Sequence, residues 1–465
     1  MAQIARKGYL FIILAALLLS GTALAQKNPR FETAPLNPEH FRATGKPFGF
    51  IPPPMDLSHI KLPSRMHILQ TPAAWDWRAN NGVTPADNQN PYGTCWAFAA
   101  IGDLESKVRI NESVSYDLSE SQVVGCHNRP GVDCNSGGNA HYATNSLTIS
   151  PSLEESCDPY ACPTVACNPN SCPGIHRVTE WQLVPNDVNA IKEAVYAYGP
   201  AYTTMYASFP GFSSYNGSYV INYTGSEPIN HAVLIVGWDD AMGSAGAWIV
   251  KNSWGAGWGD NGFFYIEYGA ASIGGYSSVY TGYKAQDNNE EYHFYDDQGW
   301  QNSVGTGLDN YLWGLARITP ANDGFLTHVD FWAVETGAAF ELELYDDFDG
   351  ASLGSLLDSQ SGVVEQAGYF SIPLNVPLEV FAGDEIAIKL KITTPGFYYP
   401  LPVSEDGPIN SGKTYLSEDG SFWEDAADYG WEVGIRARIN RDGNRPPFIN
   451  LKCPGSAPKN GPLQC

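Results

Sequence analysis

Between residues 290 and 440 the hydrophobic pattern has a period of two, which suits strands and leaves a helix no apolar face. Phe340, Leu342 and Leu344 alternate with Glu341, Glu343 and Tyr345, and Ile386, Ile388, Leu390 and Ile392 with Ala387, Lys389 and Lys391. Val433, Ile435, Ala437 and Ile439 alternate with Gly434, Arg436, Arg438 and Asn440. Gly, Pro and Asp turns separate these runs, so the segment predicts an all-β sandwich able to close its own core. A chain of 465 residues also exceeds one ordinary core, so a second domain is expected.

That second domain reads over 71–285. Apolar residues Trp96, Phe98, Ala99, Ile101, Leu104 and Val108 predict a helix starting at Thr94. Another helix is expected from Asp187 to Tyr198, closed by Gly199-Pro200. Strands follow at Ala232–Val236, Ala247–Val250 and Phe263–Ile266. Helix first and strands afterwards indicates an α+β domain. Residues 26–70 carry eight prolines between Pro29 and Pro63, which favours extended chain over a packed unit. They read either as a propeptide or as an N-terminal strap. Within them, residues 48–57 either lie extended over the 71–285 domain and limit access to it or pack as a strap at its far side. The tail 441–465 is rich in Pro, Gly and Asn, with Cys453 and Cys465 free to pair with each other.

Residues 1–25 set the expected compartment. Arg6 and Lys7, the apolar run Leu10 to Leu19 and the small residues Ala23-Leu24-Ala25 have the order of a cleavable export signal. The run is short for a membrane span of about 20 residues, so no stable insertion is expected after removal. Outside the cytoplasm, secreted or periplasmic, cysteines pair. There are nine, an odd number that leaves one thiol free. A net charge of −24 excludes a nucleic-acid partner, since nothing basic remains to neutralise phosphates. It suits a soluble monomer.

The free thiol is best assigned to Cys95, in Gln89-Asn90-Pro91-Tyr92-Gly93-Thr94-Cys95-Trp96-Ala97-Phe98. At a helix start, unpaired N–H groups and the positive end of the dipole favour thiolate, the form that acts as nucleophile. A base is also needed. His231 opens the apolar strand His231-Ala232-Val233-Leu234-Ile235-Val236-Gly237. Asn252, in Lys251-Asn252-Ser253-Trp254-Gly255, can accept from the imidazole and orient it, with Trp254 covering that bond from water. Gln89 can aim its amide at a developing oxyanion together with the Cys95 N–H. Singly, each residue has a plainer explanation as a buried cysteine, an edge histidine or a turn asparagine. Together they need a common one.

Residues 70–285 resemble the papain-like cysteine peptidases. The resemblance rests on Ala74-Trp75-Asp76-Trp77-Arg78, the Gln89–Phe98 stretch, Asn230-His231-Ala232-Val233, and Lys251-Asn252-Ser253-Trp254-Gly255 with Gly257-Trp258-Gly259. It implies a two-lobed fold and peptide-bond hydrolysis. Cys95 would be the nucleophile and His231 the acid/base, their thiolate–imidazolium pair attacking to give an acyl-enzyme. Asn252 would be the orienter and Gln89 the oxyanion donor. It also implies a substrate cleft bordered by Gly137, Gly138, Thr204, Asn230 and Trp254. None of these is charged, so an apolar side chain is expected two positions before the scissile bond. No cofactor and no metal are implied. The partner would be a protein or peptide substrate.

Departures from the family are visible too. Tyr92 stands where the family has a cysteine that bridges to the one matching Cys134. Cys134-Asn135-Ser136-Gly137-Gly138 is one residue longer than usual, and the long helical propeptide is missing. Cys157, Cys162, Cys167 and Cys172, with Cys126 and Cys134, fit disulfides or a zinc site, and their pairing stays open. The β-rich half resembles lectin-like domains that follow such peptidases in secreted bacterial and archaeal proteins. Trp300, Trp313, Trp332, Trp423 and Trp431 are sandwich core or sugar-stacking residues on that reading. The alternative for the whole chain is an inactive relative that binds glycan or protein. A rival nucleophile, Ser352 in Gly350-Ala351-Ser352-Leu353-Gly354, lacks the strand–turn–helix setting such a motif requires.

Overall fold

The computed structural model describes residues 30–42, 48–61, 70–129, 132–167 and 172–441. The export signal read over 1–25 and the tail beyond Arg441, with Cys453 and Cys465, lie outside them. Among the described residues no helix is long and apolar enough to cross a membrane.

The helices gather in the first half. Cys95–Glu112 is the longest, and every residue from Cys95 to Val108 is buried, the charged Asp103, Glu105 and Lys107 included. Glu120–Cys126 and Ala140–Ile149 pack against it, with Ser119 and Asn139 capping their first N–H groups. The helix Val188–Tyr198 starts at the Asp187 cap, as its sequence predicts. Strands His231–Asp239, Ala247–Lys251 and Phe263–Glu267 form consecutive antiparallel neighbours. This is the expected α+β lobe pair.

The β-rich half is a sandwich. One face is a 6-stranded sheet, Leu356–Val363, Ala339–Tyr345, Ile386–Thr393, Tyr311–Ile318, Thr414–Ser417 and Glu424–Asp425. Phe340, Leu342, Leu344, Ile386, Ile388, Leu390 and Ile392 all point into its core, as the alternation requires. Trp300, Trp313, Trp332, Trp423 and Trp431 are buried, which makes them core residues and leaves none as an open sugar platform. Ser352 sits in a tight turn whose N–H is taken by Asp349 Oδ1 at 2.7 Å. A strand, Leu356–Val363, follows it, so the setting of an activated serine is absent there.

The halves are not separate beads. The strand His176–Val184 pairs with Gly368–Val380 through Gln182↔Gly368 and Trp181↔Tyr369, so an 11-stranded sheet runs across both. Trp181 meets Trp332 with ring centroids 5.9 Å apart. Arg436, on the polar side of the alternation, is fully buried. Its guanidinium donates to Asp296 Oδ1 (2.7 Å), to Thr148 Oγ1 (2.9 Å) and to Asn145 Oδ1 (2.6 Å). Thr148 and Asn145 belong to the peptidase-side helix. The expectation of a β domain that folds alone is therefore revised: its outer face is an internal surface. Arg436→Ala, which strands Asp296 in the seam, should destabilise the chain by about 3–5 kcal/mol in denaturant unfolding. A loss below about 1 kcal/mol would mean the seam carries no weight.

Cysteine pairing is resolved. Cys126 bonds to Cys167, Cys134 to Cys162 and Cys157 to Cys172. These are disulfides, so the zinc alternative is set aside. Among the described residues Cys95 is the free cysteine.

Candidate active site

Three of the four proposed catalytic groups sit at the end of a regular element, and Gln89 lies in the loop before the Cys95 helix. Cys95 is the first residue of its helix, after Thr94. His231 opens a wholly buried strand and is paired with Met205. Asn252 follows directly on the neighbouring strand Ala247–Lys251, so sheet registry delivers it to His231. The Cys95 thiol comes within 3.2 Å of the Ala232 N–H, which donates to it. Helix start and strand start therefore converge.

Hydrogen bonds fix the imidazole. His231 Nε2 lies 2.8 Å from Asn252 Oδ1, and the same oxygen accepts the Ser253 N–H at 2.9 Å. An amide oxygen only accepts, so Nε2 carries the proton and Nδ1 holds the lone pair. Nδ1 has no hydrogen-bond partner among the described residues. Trp254 lies against the ring with centroids 5.4 Å apart, where it shields the His231–Asn252 bond. Gln89 is buried and held at both ends: its backbone N–H donates to Ser253 O, and its Oε1 accepts from Ser253 Oγ at 2.6 Å. That leaves Gln89 Nε2 as the outward donor. Ser253 was not singled out in sequence, because a serine between Asn252 and Trp254 carries no distinguishing mark.

The cleft is occupied by the chain itself. The Phe48 carbonyl oxygen accepts from Gln89 Nε2 at 3.0 Å and from the Cys95 N–H at 3.4 Å. Both donors expected at an oxyanion thus hold one oxygen. Downstream, Gly138 N–H donates to Gly49 O and Ile51 N–H to Gly138 O, both at 2.8 Å, in a parallel bridge of Phe50 with Gly138. Phe50 N–H reaches Asn230 O at 3.4 Å. So Gly138 faces the cleft despite the extra residue before it, and Gly137 stands beside Gly49. Thr204 lies one layer back, its Oγ1 accepting the Tyr276 N–H, while the Tyr276 ring meets Phe50 at 5.6 Å. Gly49 has φ +108, and a β-carbon there would stand 1.9 Å from the Gly93 carbonyl oxygen. Only glycine fits that crossing.

Phe48 also changes the charge state. Its ring stands edge-on to His231 at 5.2 Å and tilted on Trp254 at 5.1 Å. Burial pushes the Cys95 thiol up to about 12, against the opposing pull of the Ala232, Trp96 and Cys95 N–H groups. Burial also presses His231 down to about 4, although Asn252 favours its protonation. The helix start does favour thiolate, as its sequence suggests, but desolvation wins here. The thiolate–imidazolium pair expected from sequence is corrected for this closed state to a neutral thiol beside a neutral imidazole.

The segment is fastened by the β-rich half on both sides. Glu32–Thr33 pairs with Asn302–Gly305, and Phe31 is buried in the sandwich core. Beyond the cleft, His59 stacks on Phe397 at 3.7 Å and meets Val334 O at 2.8 Å. Of the two readings of residues 48–57, the structure has the one that covers the cleft.

Comparison with known proteins bears on the two halves of the chain. Residues 71–283 match the papain family of cysteine proteases, and residues 292–438 match the lectin like domain. A viral cathepsin of Heliothis zea nuclear polyhedrosis virus is 33% identical over 220 residues, 44% of this chain and 58% of its own length. Cathepsin K of Gallus gallus is 34% identical over 200 residues, 42% of this chain and 58% of its own. The chain thus spans under two thirds of these relatives. A crystal structure of the cysteine protease and lectin-like domains of Cwp84, a surface layer associated protein of Clostridium difficile, has the same fold. It aligns with TM-score 0.75 at 23% identity, over 89% of this chain and 98% of that one. Residues 71–283 therefore form a papain family cysteine protease domain, and residues 292–438 a lectin-like domain.

Proposed function

We propose that this chain is an exported cysteine endopeptidase whose cleft is closed by its own residues 48–51. The observation that carries the reading is the Phe48 carbonyl oxygen held jointly by Gln89 Nε2 and the Cys95 N–H. A substrate carbonyl at that position is polarised by the same two donors. Once the segment leaves, water returns to the cleft, and the thiol can pass its proton to His231 Nδ1. The Cys95 sulfur then bonds to the carbonyl carbon, and the oxyanion is held by Gln89 and the Cys95 N–H. As the tetrahedral centre collapses the C–N bond breaks, and the imidazolium gives its proton to the departing amine. A thioester remains on Cys95. His231 next takes a proton from water, hydroxide adds to the thioester, and the acid leaves as the sulfur regains its proton. Asn252 keeps the imidazole in the tautomer that leaves Nδ1 free. No step draws on a metal or a cofactor.

In this reading the lectin-like domain holds the covering segment and completes the interdomain core. A glycan partner would have to use residues other than its buried tryptophans. An exported site of action suits the three disulfides of the described residues.

Fluorogenic peptide libraries test the reading in a chain whose cleft has been opened. Hydrolysis should need only a reducing buffer and stop on thiol alkylation. Gly137, Gly138, Thr204 and Asn230, the wall expected from sequence, carry no charge to pair with a buried substrate charge. The profile should therefore favour apolar and aromatic residues two positions before the cut. Dominance of Arg or Glu there would contradict the pocket. Absence of hydrolysis from every peptide would return the chain to the binding-only alternative.

A further inference from the structure

We propose that Tyr160 is a positioning residue for the peptidase reaction, fastening the 89–95 loop so that the Gln89 amide and the Cys95 N–H face one oxygen. The inference rests on the catalytic reading above and assigns part of that geometry to a residue far from the motifs.

The Tyr160 hydroxyl donates to the Gln89 main-chain carbonyl at 3.1 Å and lies 2.6 Å from Thr94 Oγ1. It has one proton, so Thr94 supplies the other. A single oxygen atom thereby ties both ends of the loop: the residue bearing the side-chain donor and the residue just before the nucleophile. Between them, Gln89 Nε2 donates to Tyr92 O at 2.7 Å and Tyr92 N–H to Gln89 O at 3.1 Å. A shift of the loop would therefore move the amide with it. Burial raises the phenol to about 12, above the lowering by Thr94, so the hydroxyl keeps its proton across neutral pH.

Tyr160 is itself firmly held. Its N–H donates to Glu155 Oε1 at 2.6 Å, and Ser121 Oγ bridges the residues on either side, accepting from Ala161 N–H and donating to Pro159 O at 2.9 Å each. Its ring stands edge-on to Phe98, one turn into the nucleophile helix, at 5.0 Å. Two residues on, Cys162 is disulfide-bonded to Cys134, whose carbonyl accepts the Gly93 N–H at 2.8 Å. Because Tyr92 replaces a cysteine, no disulfide ties this loop directly. The fastening runs instead through Cys134–Cys162 and the Tyr160 hydroxyl.

The test uses the full chain with Phe50→Asp, so that the cleft is open, with and without Tyr160→Phe. Loss of the hydroxyl should lower kcat about tenfold, a fraction of the effect of losing a whole oxyanion donor, with KM within about twofold. If Tyr160 acts through the loop, the same change in a Gln89→Ala background should cost less than about twofold. Thr94→Val cuts the tie from its other end and should reproduce the phenotype. Hydrogen exchange provides a readout without activity: the Tyr92 and Gly93 amides should exchange about tenfold faster while the helix core is unchanged. An unchanged kcat, an equal loss in both Gln89 backgrounds, or unchanged exchange in the loop would overturn the proposal. If the Tyr160-intact chain hydrolyses nothing, the peptidase reading fails, and the exchange data still decide whether Tyr160 holds the loop.

Discussion

Cys95→Ser and His231→Ala should each lower peptide hydrolysis by about 10⁴-fold or more, with the fold intact. Serine keeps the position at the helix start but holds its proton too tightly for a neutral imidazole to remove. His231→Ala leaves no group on the facing strand that could carry a proton to the amine. Because the two act as a unit, the double substitution should cost little more than either alone. Asn252→Ala should be milder, since Asn252 sets the tautomer and moves no proton. Near-normal rates in Cys95→Ser would remove the assignment of the nucleophile.

Opening the cleft should act in the opposite direction and raise the rate. Phe50 is buried beside Tyr276; among the described residues its pocket is lined by no Lys or Arg, and burial disfavours the charged form of His141 there. Phe50→Asp would place a charge there at a cost of about 3 kcal/mol or more, which corresponds to ~100-fold in the closed-to-open ratio. Initial rates on small peptides should rise by about that factor. Acid should act the same way. Open and hydrated, His231 takes up its proton near pH ~6.5, but in the closed form only near 4. Closure is thus fully supported above that window and loses support as pH falls through it, on the order of 3 kcal/mol by pH 4. Hydrogen exchange of residues 48–61 across pH 7 to 4 reads this directly. With the slower intrinsic exchange of free amides in acid divided out, protection should fall as the pH falls, and protection that rises would contradict the sign.

The contrast between legible and illegible features has physical causes. Cys95, His231 and Asn252 are readable because each chemistry needs a particular side chain at the end of a particular element, and Gln89 because an oxyanion donor is needed close before the nucleophile. The sandwich was readable because Phe340, Leu342 and Leu344 must all face one way. Alternation says which side chains share a face but not what covers that face, so it does not tell whether Arg436 and Arg438 meet water. Both are buried in the sheet, and Arg438 is paired with Asp330 at 3.1 Å. Cysteine spacing could not decide that Cys134 bonds to Cys162. The segment 48–51 is bound mostly through its backbone, at Gly138, Gln89 and the Cys95 N–H, and backbone pairing leaves little trace in sequence. The charge state of Cys95 was hidden for the same reason. It is set by burial of the thiol and the imidazole, to which Phe48, remote along the chain, adds a ring against His231.

The most direct measurement is intact-mass labelling with an irreversible thiol-directed epoxide, comparing the unaltered chain with Phe50→Asp. The account predicts one adduct per opened chain, on Cys95, with hydrolysis falling in step, and much slower labelling of the closed chain at neutral pH. Equal labelling of both chains would contradict closure by residues 48–51. Full inactivation with the adduct elsewhere, or full labelling of Cys95 with hydrolysis retained, would contradict the assignment of Cys95 itself.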